Sequence, residues 1–118
     1  MPDAFDTACS VLRRHAAALV ATDDSADRLC LDTPHTGANG APLFFGSVTR
    51  KRTGVSVHLM PVYTDPDLLD AVPQALRARM TGKSCFAFRT LDEAQADALT
   101  ALVDAAADRY RAHGYLDA

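Results

Sequence analysis

Any chemistry in this chain rests first on its three cysteines and four histidines. Cys85 and His58 can be paired as nucleophile and base, because a thiol becomes a useful thiolate only beside a base or a positive field. Lys83, two residues before Cys85 and on the same strand parity, would supply that field. No orienting third group and no oxyanion hole can be placed, and a free cysteine often serves as a small buried hydrophobe. No catalytic residue is therefore assigned, and an enzyme using Cys85 ranks third among the readings. Cys30, His58 and Cys85 are soft metal ligands by type. Structural zinc asks for close pairs such as C-x₂₋₄-C, and none occurs here. Four carboxylates, Glu93, Asp97, Asp104 and Asp108, recur at i, i+4, i+11 and i+15 and so share one helical face. Such a face can collect iron or another hard cation weakly. The plainer reading is a solvated surface, partly neutralised by Arg111 three residues after Asp108.

Charge is distributed unevenly. Residues 42–89 hold seven bases against three acids, a local charge of +4, while the segments before and after are acidic. The bases are Arg50, Lys51, Arg52, Arg77, Arg79, Lys83 and Arg89. An anionic ligand or partner near these residues fits that excess. The alternative is a set of solvated side chains balancing acidic helices. The whole chain carries a net charge of −3, which argues against a protein built to grip nucleic acid. Core packing explains most of Phe44, Phe45, Tyr63, Phe86 and Phe88 better than a role as stacking platforms for bases.

Positioning these groups falls to seven elements in the order α-β-β-β-α-β-α. Phe5, Ala8, Cys9, Leu12, Ala16, Leu19 and Val20 form a helical stripe that should end near Thr22. Arg28 to Thr33 reads as a short strand before the loop PHTGANGAP. PLFFGSVT and VSVHLMPVY are the clearest strands, joined by RKRTG as a hairpin. Asp65-Pro66 resembles an N-cap with proline at the first helical position, and Pro73 should split the segment that this cap opens. Gly82 suggests a left-handed C-cap. SCFAF is the last strand, and Thr90 to Glu93 is a capping-box sequence opening the final helix. Strands in the middle and helices at the ends predict an α+β domain over residues 1–118. Its single antiparallel or mixed sheet would carry helices mainly on one face.

Alternation then sends Val55, Val57, Leu59, Phe86 and Phe88 toward the helices. Ser56, His58, Met60, Cys85 and Ala87 stand on the open face. With Lys83 these become the candidate ligand-binding set: Ser56, His58, Met60, Lys83 and Cys85. His15, His35 and His113 are surface residues in this reading.

Apolar residues make up 48% and charged residues 23%, an ordinary balance that excludes disorder and disulfide-scaffold classes. An odd cysteine count without CxxC suits a reducing cytoplasm. The N-terminus has acids where a secretion signal needs positive charge, and no run reaches the roughly 18–20 apolar residues of a membrane span. No cofactor motif is present. The expectation is a cytoplasmic domain without membrane or nucleic-acid partners, and an open strand edge allows a homodimer.

HLMPVY (His58 to Tyr63), DLLD (Asp67 to Asp70) and RMTGKSCFAF (Arg79 to Phe88) together resemble the YdhG-like group of small bacterial domains of unknown function. The resemblance covers roughly residues 42 to 115 and implies an α+β domain with a curved sheet packed by helices. One branch of that group is linked to frataxin-like iron delivery, which the carboxylate face would suit. The leading expectation is a non-enzymatic domain binding a small ligand, an anion among the options, or a protein partner at its sheet face. The alternative is an iron or divalent-metal carrier using Glu93, Asp97, Asp104 and Asp108.

Overall fold

The computed structural model of the chain describes residues 3–116. Helix α1 (Ala4–Arg13) is capped by Asp3, whose Oδ1 accepts the Asp6 N–H at 2.8 Å. This satisfies one of the donors left open in a helix's first turn. Phe5, Ala8, Cys9 and Leu12 share one face and are buried. The helix expected to reach Thr22 ends instead at Arg13. One turn of 3-10 helix (Ala16–Ala18) comes next, and then strand β1 (Val20–Asp24). The cause is non-local. Strand β2 (Arg28–Thr36) is buried at Leu29, Cys30 and Leu31 and needs a hydrogen-bonding neighbour on its outer side, which β1 provides. Arg13 marks the corner by binding Asp24 through both guanidinium nitrogens, at 2.7 and 3.0 Å.

Strands β3 (Pro42–Lys51), β4 (Gly54–Leu59) and β5 (Cys85–Phe88) complete the sheet. All five strands lie side by side in chain order, and every pair is antiparallel. The fold is α+β with one more strand than the sequence pattern shows. Lys51 pairs with Gly54, so only Arg52 and Thr53 make the β3–β4 turn. The expected strand VSVHLMPVY stops at Leu59, and Met60–Thr64 form helix α2 with Pro61 in its first turn. Proline cannot donate to a ladder but suits a helix start. Met60 therefore leaves the sheet and packs against the core, not on the open face.

Asp65 makes no side-chain cap bond; its carboxylate takes the His113 Nε2 at 2.9 Å. The chain beyond it forms a 3-10 helix (Pro66–Ala71), breaks at Pro73 as expected, and gives only a short α3 (Gln74–Arg77). Gly82 is not left-handed; the described positive-φ residues are Gly40, Gly54 and Gly114. Helix α3 has ended by then, and residues 79–81 already run back along β5. Ala87 N–H donates to the Arg79 carbonyl at 2.8 Å and Thr81 N–H to that of Cys85 at 2.9 Å. This arm covers the outer edge of β5. The other edge, β1, is bulged between Ala21 and Asp23 and carries Asp23 and Asp24, features that oppose edge pairing.

Helix α4 (Glu93–Ala112) opens with a capping box made by Asp92 and Gln95, two residues beyond the expected one. It closes on Gly114 at φ 85, where Tyr115 N–H reaches the Tyr110 carbonyl and Gly114 N–H that of Arg111. Leu99, Leu102, Val103, Ala106 and Tyr110 enter the core with α1 and one face of the sheet. The Tyr110 ring meets that of Phe45 edge-on at 6.0 Å. Its hydroxyl is buried without a hydrogen bond and burial pushes the phenol up, while the nearby Thr64 hydroxyl donates to the Pro61 carbonyl. Among the described residues no helix is long and apolar enough to cross a membrane.

Candidate functional site

With the helices on one face of the sheet, the other is built from two lateral rows. Cys30, Ser47, His58 and Cys85 oppose one another across β2 to β5, and Arg28, Thr49, Ser56 and Ala87 do so one step along. Directly opposed side chains stand about 4.5–5.5 Å apart at Cβ. Three of the five ligand-binding candidates, Ser56, His58 and Cys85, are thus brought together. Met60 is not, because it belongs to α2 and packs against the core. Nor is Lys83: β5 begins at Cys85, so Lys83 sits exposed in the bend before the strand.

The His58 and Cys85 side chains are neighbours but share no hydrogen bond among those described. The ring of Phe44 packs edge-on against His58 at 5.1 Å. Burial pushes the His58 imidazole below its usual value, which weakens it as a base and as a positive partner for a thiolate. Cys9 lies in the core, where burial drives its thiol up to about 11. Cys85 is only half-buried. In folded protein at pH 8, iodoacetamide should therefore modify Cys85 well before Cys9, which is buried and whose thiol is driven up, since only the thiolate attacks. Equal slow labelling, read by mass spectrometry, would show the open face to be closed.

The carboxylates of α4 do not act as one set. Asp104 is taken by Arg14 at 3.0 Å and by His15 at 2.7 Å, joining α4 to α1. Asp108 bonds Arg111 at 2.9 Å. The guanidinium of Arg14 is the main reason the Asp104 carboxyl lies below its usual range. Among the described residues no three His, Cys, Asp or Glu side chains cluster as a metal would require.

Positive charge converges where the sequence shows only an excess. Lys51 continues the open-face alternation of Ser47 and Thr49, Arg89 comes directly after β5, and the arm along β5 brings Arg79 beside Ala87. These three cations line a cleft of about 210 Å³ with Thr53, Gly54, Val55, Ala87 and Phe88, of which Ala87 points to the open face. No carboxylate lines it, and none of the three forms an ion pair among the described residues. Across the turn, on the α1 side, a second cleft of about 280 Å³ shares Lys51, Gly54 and Arg89 and adds Arg52 and Arg50. Arg50 is already engaged. It donates to Asp3 at 2.8 Å, lies 3.5 Å from Asp27, and stacks 4.4 Å from the centre of the Phe5 ring. Its guanidinium holds the Asp3 carboxyl below the usual range, helped by the Asp6 N–H.

The signal for this cluster lay in the chain. Arg50, Lys51 and Arg52 sit at one end of β4, and the residue after β5 must lie at that same end if β5 also pairs with β4. Comparison with known proteins gives no matching family model, curated protein or solved structure.

Proposed function

We propose that this domain acts by binding, and that the cleft formed by Lys51, Arg79 and Arg89 at the rim of the open sheet face takes a small anionic ligand. The observation that carries the reading is three cations converging on one cleft with no carboxylate among its lining residues. Like charges gathered without a counter-ion repel, and a bound oxyanion relieves that repulsion while accepting charge-assisted hydrogen bonds. Arg79 and Arg89 offer forked donors suited to a carboxylate or phosphate, and Lys51 adds a mobile point charge. A Cys85 nucleophile is less well supported, because burial weakens its nearest imidazole as a base and the two share no hydrogen bond among those described. An acidic carrier surface is less well supported too, because Asp104 already serves two partners. The resemblance to the YdhG-like group belongs to this proposal, since that group's α+β class is the class of this fold.

Sodium phosphate titrated into labelled protein, with sodium chloride at matched ionic strength as control, tests the reading. The amides of Thr53, Gly54, Ala87 and Arg89 should shift saturably with phosphate only. In a variant carrying Lys51→Gln, Arg79→Gln and Arg89→Gln the affinity should fall by about tenfold or more, as charge-assisted bonds are worth roughly 1.5–3 kcal/mol each. Identical shifts with chloride, or unchanged affinity in the variant, would sink it.

A further inference from the structure

Resting on that reading, we infer that the ligand carries two anionic groups of the phosphate class, one on each side of the β3–β4 turn, with Lys51 and Arg89 held in common between them. The two clefts are not independent hollows. They share Lys51, Gly54 and Arg89, and each adds a cation of its own, Arg79 on the open face and Arg52 on the α1 side. Arg50 is engaged by two carboxylates, Asp3 at 2.8 Å and Asp27 at 3.5 Å, and so adds no free positive charge to the second cleft. Among the described residues the rim therefore presents four cations outside any ion pair, Lys51, Arg52, Arg79 and Arg89, a charge of +4.

A single carboxylate, or one phosphate, would leave most of that charge unmatched. Each phosphate monoester carries about −1.5 to −2 near neutral pH, so two bring the total close to balance. Three of the four cations are guanidiniums, whose planar forks match tetrahedral oxyanions better than an ammonium does. A long polyanion fits less well. On the β1 side the described surface offers no further free cation, since Arg28 lies 3.9 Å from Asp23 and Arg13 binds Asp24.

Calorimetry on the full chain at fixed ionic strength tests this with inorganic phosphate, methylene-, propylene- and pentylene-bisphosphonate, and octathymidylate. One linker length should bind at one-to-one stoichiometry and about tenfold or more tighter than inorganic phosphate, because the second group joins as an intramolecular partner. Arg52→Gln should remove most of that gain while leaving phosphate within about twofold, and Arg79→Gln should weaken both. Arg52 is an exposed turn residue, so its loss leaves the fold intact. If no bisphosphonate beats phosphate, or Arg52→Gln changes nothing, the ligand has one anionic group and the inference falls while the anion site stands. Tighter binding of octathymidylate than of every bisphosphonate would overturn it in favour of a nucleic-acid backbone. Failure of all probes to bind would remove the anion site itself.

Discussion

Phe86→Ala should lower the unfolding free energy by about 3–5 kcal/mol, a large part of the roughly 5–15 kcal/mol that holds a domain of this size. Phe86 is fully buried and stands in a lateral row with Leu29, Val48 and Val57, one from each of four strands and all buried. Nothing nearby can collapse readily into the space, because the Met80 segment is pinned along β5 by backbone hydrogen bonds on both sides. The truncation thus loses both transfer free energy and packing around the resulting cavity. Ala87→Ser, one residue along on the half-buried face, should change stability by no more than about 0.5 kcal/mol. Urea unfolding reads both, and the slope of free energy against urea should stay constant if the unfolded state is unaltered. A midpoint for Phe86→Ala equal to that of the parent would mean that β5 faces the other way.

The alternation behind this expectation is legible in the chain. Val55, Val57, Leu59, Phe86 and Phe88 read as one inward set, and all are buried. Helix α4 is legible for a related reason: its apolar residues and a nearby capping-box sequence agree with one another, although the cap falls on Asp92, two residues beyond the expected Thr90. The segments that mislead are those where local pattern and long-range pairing disagree. VATDD sets two aspartates against only two strand formers, Val20 and Thr22, and continues a helical apolar stripe, yet it is a strand because it pairs with β2. MPVY looks extended, yet Pro61 starts a helix as the chain leaves the sheet.

The candidate site divides in the same way. Ser56, His58 and Cys85 come from period-two alternation and do share a face. Lys83 and Met60 join that set only if the alternation is carried past the true ends of β5 and β4. The cationic cleft needs knowledge that no local window holds. Arg79 reaches it only because the chain after α3 turns back along β5, and Arg89 meets Lys51 only because β4 lies between their strands. Charge counting finds the excess but not the place.

Gly54→Ala should be as damaging as a core truncation, costing about 3–5 kcal/mol, although it adds only one methyl group. Gly54 opens β4 at φ 155. A Cβ there would fall on the Phe88 carbonyl oxygen, and would stand 2.8 Å from the Arg89 Cα and 2.9 Å from the Phe88 carbonyl carbon. All three contacts are backbone, so no side-chain rotation relieves them, and the end of β5 would have to move away from the turn. Two other glycines calibrate the effect. Gly40 has a φ of 82 and open space around it, so its replacement by alanine should cost only the roughly 1–2 kcal/mol of a left-handed backbone. Gly82 has neither a positive φ nor a near neighbour, and alanine there should be neutral or stabilising by about 0.4–1 kcal/mol through the unfolded chain. The order of the three midpoints in urea is the measurement. Because Gly54 lies between Lys51 and Arg89, any Gly54→Ala protein that stays folded should also lose phosphate binding, as the turn and β5 are pushed apart. Retention of both the midpoint and the binding would show that β4 and β5 do not approach at Gly54, and the cleft drawn from that approach would go with it.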